Sequence, residues 1–385
     1  MIPNRNFNFP NPMRFGNGRV KDLPQFCTEA GMKKPLFVTD RGLAGTDMVK
    51  DILANLEKSG LGRAMFSDVV PNPTEANVLD GCKVYRDGGH DGVICFGGGS
   101  ALDTGKMIAL MHSQKVSIFD LEDVDDWWTR ADASTIAPNI CIPTTAGTGS
   151  EVGRAAVITN TKTHEKKIIF HPGVMPRFAV LDPELTVGLP AKLTAATGFD
   201  AFAHCLEALC SPFYHPAAEG IAIEGMRLVK ENLAKAVKKG KDLDARGNML
   251  VASSMGATAF QKGLGAIHSL SHPFGGLYNA HHGTLNGIIM PYVLKANRKK
   301  VEAKIERAAA YLGIKGGFNG FMKWVLALRK ECGIPHTLAD IGIDTKQLDT
   351  VAEMARRDPS HGGNPVDFSV KQYKALAKKC VVGDL

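Results

Sequence analysis

The segment Val93-Ile94-Cys95-Phe96-Gly97-Gly98-Gly99-Ser100 places four apolar residues directly before three glycines and a serine. The apolar run predicts a strand buried on both faces, and the glycines predict a tight turn into a helix over 101–111 that Ser100 can cap. Glycine backbone can approach a pyrophosphate closely, and the N–H groups that begin the next helix favour an anion. By itself, a strand-to-helix turn without a ligand explains the motif equally well.

Further apolar runs lie on either side of this motif, at 36–39 and 139–142, and helical spacing separates them, for instance over 46–58. Alternating apolar strands and helices indicate a parallel sheet covered on both faces. After about residue 189 strand-like runs largely vanish, and long helical patterns follow over 217–237, 246–260, 301–312 and 318–332. We therefore predict an α/β domain with a parallel sheet over 1–187 and an all-α domain over 188–385.

Asp40 follows the apolar run at 36–39 and so stands at the end of a predicted strand. A dinucleotide-binding sheet places a carboxylate there to accept hydrogen bonds from ribose hydroxyls. The same charge repels a 2′-phosphate, which favours NAD over NADP. The acid precedes the glycines here, whereas the familiar fingerprint has the glycines first. A second glycine-rich loop, at 147–150, could line the phosphate or nicotinamide end, or could be a polar crossover loop.

Two later segments carry acidic and histidine side chains at helical spacing. Asp200 and His204 are four residues apart, as are His268 and His272, and His282 follows a short connector. A helix places residues four apart on one face. A carboxylate and imidazoles that converge from two segments suit a divalent transition metal, and the set contains no cysteine, unlike a closed thiolate structural site.

Bulk composition excludes several functional classes. The chain has 385 residues and a formal charge of +7, but its basic residues occur as scattered pairs, so nucleic-acid binding is not expected. No uncharged apolar stretch of about 20 residues could span a membrane, and residues 1–7 lack a signal-peptide layout. Eight cysteines without C-x-x-C pairing predict reduced thiols in the cytoplasm.

Together these motifs resemble the iron-containing (group III) alcohol dehydrogenase family. The matching stretches, which agree in order and spacing, are 70–74, 97–103, 143–151, 181–186, 198–204 and 268–283. The resemblance implies a dehydroquinate synthase-like architecture, in which a dinucleotide-binding domain with a Rossmann-like sheet (1–187) and a helical metal-binding domain (188–385) enclose an active site in the cleft between them. It also implies interconversion of a primary alcohol and its aldehyde by hydride transfer to and from NAD. A non-redox, NAD- and metal-dependent lyase of the dehydroquinate synthase type is the alternative. We also expect a homodimer or a higher homo-oligomer.

The resemblance also implies particular site residues. It implies metal ligands at Asp200, His204, His268 and His282. The family favours Fe²⁺, although Zn²⁺ or another divalent ion suits the same ligands. It implies pyridine-nucleotide contacts at Asp40, Asn72, Gly98, Gly99, Ser100, Thr144, Thr145 and Lys166. Lys167 is an alternative to Lys166, and His281 is an alternative to His282.

Other side chains receive less certain roles. His272 is either a catalytic contact to substrate and nicotinamide, with a proton-relay function, or a packing residue. The remaining histidines, His164 among them, are expected to be structural or on the surface. Arg154 and Lys262 flank the segments expected to close over the substrate, and Ala259 stands where many family members carry an aromatic residue. They suggest a preference for an anionic ω-hydroxy acid or semialdehyde, with solvated surface cations as the alternative reading.

Overall fold

The computed structural model describes residues 10–163 and 165–385, and these form two compact units. One unit comprises Pro10–Thr145 and Gly149–Gly188, and the other comprises Ala146–Thr148 and Leu189–Leu385. Residues 1–9, on which the prediction about a signal peptide falls, and His164 lie outside the described residues. Each unit is described here by itself.

The first unit is built on strands and short helices. Its strands are β1 (Met13–Phe15), β2 (Pro35–Val38), β3 (Met65–Phe66), β4 (Gly92–Gly97), β5 (Asn139–Pro143), β6 (Ala155–Thr159), β7 (Lys166–Phe170) and β8 (Phe178–Leu181). Its helices are α1 (Leu23–Glu29), α2 (Arg41–Ala44), α3 (Asp47–Lys58), α4 (Glu75–Gly88) and α5 (Gly99–Met111). Six strands form a sheet in the order β1-β8-β5-β4-β2-β3, in which every pair is parallel. This confirms the predicted parallel sheet; β6 and β7 form a separate antiparallel ribbon.

The central strand β4 shows why the apolar runs are continuous. Val93 and Cys95 belong to the apolar cluster on one face of the sheet, and Ile94 and Phe96 belong to the cluster on the other. Successive side chains of a strand point to opposite faces, so a strand covered on both sides needs apolar residues at every position. Helix α5 packs against the first face so closely that a Cβ at Gly105 would lie 2.4 Å from Cys95 Sγ.

The turn between β4 and α5 differs from the sequence prediction in one respect. Ser100 does not cap α5, because the helix already begins at Gly99 and Gly98 is the capping residue. Ser100 therefore lies in the first turn, where its hydroxyl donates to Pro71 O at 2.5 Å. Gly97 has φ +139°, a conformation that favours glycine, and this explains why the turn starts where it does.

The second unit is helical, and residues 189–385 contain no strand. Its helices are α6 (Ala191–Cys210), α7 (Pro216–Lys238), α8 (Leu243–Ala259), α9 (Ala266–Tyr278), α10 (His282–Tyr311), α11 (Gly317–Glu331), α12 (Leu348–Arg357) and α13 (Val370–Val382). Helix α6 packs against α7, α8 and α10, and it is buried at every position from Phe199 to Cys210. In both units, no described helix is long and apolar enough to cross a bilayer.

Candidate active site

The acidic and histidine side chains of the helical unit converge on one point. Asp200 and His204 come from α6, His268 from α9, and His282 is the first residue of α10. Asp200 Oδ1 lies 3.7 Å from Nε2 of His204, 3.7 Å from Nε2 of His268 and 3.4 Å from Nε2 of His282. Asp200, His204 and His268 each offer a ligand atom within 4.8 Å of the others, and all three are buried. His282 is more open, with about a quarter of its side chain exposed.

The chemistry of these atoms fits a cation. Asn286, one turn after His282 on α10, places its Nδ2 2.7 Å from Asp200 Oδ1, 3.3 Å from His268 Nε2 and 3.1 Å from His282 Nε2. One amide nitrogen thus contacts a carboxylate oxygen and two ring nitrogens, so these three atoms face a common position. A carboxylate and imidazole nitrogens that surround one point are the donor set for a divalent transition metal.

The electrostatics of the cluster favour positive charge at its centre. Burial lowers the pKa of His204 to about 4 and that of His282 to about 3, so both imidazoles are neutral and keep a lone pair. Burial would also lower the pKa of His268, but the carboxylates of Glu207 and Asp200 outweigh it and raise this pKa to about 10. The negative potential that stabilises a proton on His268 would stabilise a divalent cation equally well.

Glu207 is a functional residue that the sequence reasoning missed. His268 Nδ1 hydrogen-bonds to Glu207 Oε2, and Ile267 N donates to Glu207 Oε1 at 2.7 Å. With its proton held on Nδ1, His268 presents the lone pair of Nε2 to the site, which is how carboxylates orient metal-binding histidines. The signal was present, because Glu207 is three residues after His204 and shares its helix face.

His272 lies beside the cluster and has its own carboxylate. Its Nδ1 hydrogen-bonds to Asp358 Oδ2 at 2.7 Å, and its ring stacks on that of His282 with centroids 5.4 Å apart. Burial would raise the pKa of Asp358, but His272 outweighs it and the pKa is lowered. The bond fixes the orientation of the ring and leaves Nε2 as the ring nitrogen that can exchange a proton with another group. Asp358 is distant in sequence, and no local pattern pointed to it.

The α/β unit brings the predicted nucleotide contacts to the carboxyl end of its sheet. Asp40 Oδ1 caps α2 by accepting from Gly42 N and Leu43 N, and a Cβ at Gly97 would lie 3.3 Å from Asp40 Oδ2. Thr144 N donates to Gly97 O at 2.9 Å, and a Cβ at Gly98 would lie 3.6 Å from Thr145 Cγ2. Side chains at these glycines would fill the space beside Asp40 and Thr145. Their absence is expected in a turn whose backbone N–H groups a phosphate approaches closely.

Two more predicted contacts lie near this turn. The Ser100 hydroxyl binds Pro71 O, which places Asn72 beside the start of α5. Lys166 pairs with Thr159 across the β6–β7 ribbon, and Thr159 N donates to Pro73 O at 2.7 Å. The alternative residue, Lys167, instead forms ion pairs with Glu165 at 3.1 Å and Glu122 at 3.4 Å. Because neighbouring strand residues face opposite sides, the two lysines have different surroundings.

The structure corrects the predicted role of Lys262. Its ammonium is buried, donates to Ala208 O, Leu209 O and Ser211 O, and pairs with Glu219 at 3.1 Å. With its donors used within the protein, Lys262 is neither a solvated surface cation nor available to an anionic substrate.

Ala259 belongs to the helical unit and Arg154 to the α/β unit. Ala259 is buried at the end of α8, and its neighbour Phe260 is the residue that contacts the His204 ring. Arg154 is half-buried in the α/β unit, with its guanidinium 5.4 Å from the Phe170 ring centroid. Neither position identifies a substrate contact.

The remaining described histidines are accounted for within their own units. His281 is exposed at the start of α10, and it is His282 that faces Asp200. Six others have hydrogen-bond partners that make them structural: His90, His112, His171, His215, His336 and His361.

Comparison with known proteins agrees with this geometry. The family model described as iron-containing alcohol dehydrogenase matches residues 10–183, and the C-terminal model of the Fe-containing alcohol dehydrogenase family matches residues 194–381. The chain belongs to the iron-containing alcohol dehydrogenase family. It is 38% identical to 4-hydroxybutyrate dehydrogenase of Cupriavidus necator over 375 residues, which cover 94% of this chain and 96% of the relative.

Solved structures of the family superimpose on the whole chain. A 1,3-propanediol oxidoreductase matches with a TM-score of 0.92 and 33% identity, covering 98% of this chain and 100% of the other. A sulfoacetaldehyde reductase from Bifidobacterium kashiwanohense in complex with NAD⁺ matches with a TM-score of 0.89 and 26% identity, covering 98% of each chain. The prediction of an NAD- and metal-dependent alcohol–aldehyde oxidoreductase is thus confirmed. The matched family is one of dehydrogenases, so the non-redox lyase alternative loses its support.

The Glu207–His268 pair generates a prediction about metal binding. In Glu207→Gln, Oε1 can still accept from Ile267 N, but the amide NH₂ then faces His268 Nδ1 and makes that nitrogen an acceptor. The ring proton moves to Nε2, and the lone pair that faces Asp200 is lost. We expect affinity for a divalent metal to fall by about 10–100-fold, measured by competition with a chelator. Glu231→Gln, on the exposed face of α7, is the control. Equal metal affinity in Glu207→Gln and wild type would contradict the role of Glu207.

Proposed function

We propose that Asp200, His204, His268 and His282 hold the catalytic metal, and that Fe²⁺ is the ion. The observation that carries the proposal is the convergence of three imidazole nitrogens on one buried carboxylate oxygen, Asp200 Oδ1, at 3.4–3.7 Å. A divalent ion at that position supplies Lewis-acid polarisation of an alcohol or carbonyl oxygen. The more open side of the cluster, where His282 is partly exposed, gives a small substrate access to it.

In this proposal His272 is the residue that moves a proton. Alcohol oxidation releases the hydroxyl proton, and His272 is held beside His282 by its bond to Asp358. Because Asp358 binds Nδ1, Nε2 is the atom that can accept the proton, and the carboxylate stabilises the imidazolium that results. His272 thus acts on the substrate proton without being a metal ligand.

Substitutions at this pair should separate proton transfer from metal binding. We expect His272→Ala and Asp358→Asn each to lower kcat by about 10²–10⁴-fold, the usual contribution of general acid–base catalysis, while metal content stays at the wild-type level. His268→Ala should lose both metal and activity. Elemental analysis and NADH formation from a primary alcohol, both under anaerobic conditions with Fe²⁺, measure the two effects. Full metal occupancy in His268→Ala would refute the ligand assignment, and unchanged kcat in both His272→Ala and Asp358→Asn would refute the relay.

We further propose that the carboxyl end of the parallel sheet binds NAD. The predicted contacts are Asp40, Asn72, Gly98, Gly99, Ser100, Thr144, Thr145 and Lys166. What supports them is that Asp40 Oδ2, the glycine turn and the Thr144-Thr145 backbone lie next to each other. Oδ1 of Asp40 is used to cap α2, so Oδ2 is the oxygen left to accept from the ribose.

Asp40→Asn tests this arrangement while keeping the helix cap. The amide oxygen can still accept from Gly42 N and Leu43 N, but the charge that repels a 2′-phosphate is gone. We expect the ratio of kcat/KM for NADP to that for NAD to rise at least about tenfold, roughly 1.4 kcal/mol. Asp87→Asn is the control, because it removes the same charge near the end of α4, which leads into the amino end of β4 and not into its carboxyl end. The ratio should be unchanged in this variant. An unchanged ratio in Asp40→Asn would mean that Asp40 serves only as a helix cap.

A preference for an ω-hydroxy acid is a second level of the proposal. The observation that favours it is the 38% identity to a 4-hydroxybutyrate dehydrogenase over nearly the whole chain. Lys262 no longer supports it, because its donors are used within the protein. Of the two cations singled out in the sequence, Arg154 is the one that is half-buried and not fully buried.

The substrate preference is tested with two alcohols of equal carbon number. For wild type with NAD and Fe²⁺ we expect kcat/KM to be at least about tenfold higher for 4-hydroxybutyrate than for 1-butanol, or roughly 1.4 kcal/mol. Arg154→Ala should reduce only the value for 4-hydroxybutyrate if Arg154 meets the carboxylate. Equal values for both alcohols in wild type would leave a general primary-alcohol dehydrogenase.

We also infer a homo-oligomer and a cytoplasmic location. Phe15 is an exposed apolar residue on the edge strand β1, the kind of surface that a second copy can cover. All eight cysteines are buried and free, as in proteins of a reducing compartment. Both inferences stay predictions, and light scattering would test the first.

A further inference from the structure

Lys262 is one of the most completely buried charged residues of the helical unit. Its Nζ donates to three backbone carbonyls at the end of α6, at 2.9 Å for Ala208, 3.2 Å for Leu209 and 2.6 Å for Ser211. It also lies 3.1 Å from Glu219 Oε1. The carbonyls of the last helical turn have no partner within their own helix, and a lysine near a helix end can satisfy them.

The burial of this ammonium is costly and is compensated locally. Burial, together with the nearby Lys304, lowers the pKa of Lys262 to about 8. Glu219 supplies the opposing charge, and it also pairs with Lys304 and Arg307. Although burial would raise the pKa of Glu219, these cations lower it to about 2. Removing one partner of such a buried ion pair leaves the other groups without compensation, so Lys262 should matter more for the local structure than a surface lysine would.

Lys262 joins two segments that carry proposed metal ligands. It ends the 3-10 turn Phe260–Lys262, which leads through a short connector into α9 and His268. The contact is reciprocal, because Ser211 Oγ donates to Lys262 O at 2.8 Å. One turn earlier on α6, Glu207 binds Ile267 N and His268 Nδ1. The connector is therefore held at both of its ends by the same stretch of α6.

The connector itself has no spare room. A Cβ at Gly263 would lie 3.0 Å from Ser211 Oγ, and a Cβ at Gly265 would lie 3.0 Å from Glu207 Oε1 and 2.9 Å from Asn364 Oδ1. A displacement at Lys262 cannot be absorbed by these packed residues, so it must reach the start of α9. His268 is in the first turn of that helix.

We propose that Lys262 is a positioning residue for the metal centre, which sets the placement of α9 against α6 and thereby the affinity for the metal. The inference rests on the metal centre of the proposed function. It replaces an anion-binding role for Lys262 by one in which its ammonium never touches the substrate. Lys304 offers a matched comparison, because its Nζ binds Leu209 O at 3.0 Å, Ser211 O at 2.7 Å and Glu219 at 3.3 Å, yet it projects from α10 and not from the connector.

The test compares Lys262→Met with Lys304→Met, using Co²⁺ as the probe and the full-length protein. Each variant removes one ammonium from Leu209 O, Ser211 O and Glu219, and Lys262→Met also removes the bond to Ala208 O, so both variants should have a lower Tm. We expect Lys262→Met to bind Co²⁺ at least about tenfold more weakly than wild type, as for other residues that orient metal ligands, and Lys304→Met to stay within about twofold. The visible absorption of bound Co²⁺, titrated against a chelator, reports affinity and ligand geometry without any activity measurement.

Each outcome decides the inference. Wild-type Co²⁺ affinity in Lys262→Met, or an equal loss in Lys304→Met, would reduce Lys262 to a general stabilising residue. If Lys262→Met does not fold, Ser211→Ala removes only the bond to Lys262 O, and we expect a several-fold loss of Co²⁺ affinity; unchanged affinity would overturn the inference. If Asp200→Ala binds Co²⁺ with the wild-type affinity, the metal centre of the proposed function is refuted. That result differs from a failure of the Lys262 inference, in which Asp200→Ala loses Co²⁺ but Lys262→Met does not.

Discussion

The buried carboxylate of Asp200 is the constraint on which the helical unit depends. A charge withdrawn from water is tolerated only when other groups balance it. Its Oδ1 accepts from Asn286 Nδ2 at 2.7 Å, and the Nε2 atoms of three histidines lie 3.4–3.7 Å away. A neutral imidazole nitrogen that faces the carboxylate is an acceptor facing an acceptor, so the centre of the cluster requires a donor or a cation: the Asn286 amide, a proton on His268 or a bound metal. Asn286 Nδ2 contacts that centre, and the same requirement makes it a position for a divalent metal.

The helix ends around the centre are arranged to keep it in place. At the start of α9, Ile267 N donates to Glu207 and Ala266 N donates to Asn364 Oδ1. At the end of α6, Lys262 and Lys304 donate to backbone carbonyls. Acceptors at a helix start and cations at a helix end complement both the unpaired backbone groups and the helix dipole. The helices that carry the proposed ligands are therefore fixed by hydrogen bonds at their ends as well as by apolar packing.

In the α/β unit, the burial of the central strand and the glycine turn that follows it determine the candidate nucleotide site. Its central strand is apolar at every position because helices cover both faces of the sheet. Where that strand ends, Gly97 and Gly98 keep the turn free of side chains next to Asp40 and Thr145. This arrangement suits a cofactor that carries phosphate groups. The buried strand gives the turn a rigid support, and the glycine turn offers backbone N–H groups to the phosphates.

The sequence by itself determined the class of fold and the candidate ligands. Continuous apolar runs at 36–39, 93–96 and 139–142 identified the parallel sheet, because periodicity is a local property that burial imposes directly on the chain. The i, i+4 spacing of Asp200 and His204 identified one helix face in the same way. Strands β1 and β3 have only three and two residues, which are too few to show a pattern. The five-residue strands of the β6–β7 ribbon are mostly half-buried, so burial does not impose on them the continuous apolar run of a strand covered on both faces.

Only the tertiary structure decided which side chains act together. Asp358 reaches His272 from a distant part of the chain, and Glu207 binds His268 across two helices. Lys262, whose charge suggested a substrate contact, is instead enclosed by the end of α6 and Glu219. Local spacing fixes the face on which a residue lies, but the partner of a charged group depends on which elements pack against that face. Packing brings together residues that are far apart in sequence, and the spacing of residues within one segment does not show which other segment will pack against it.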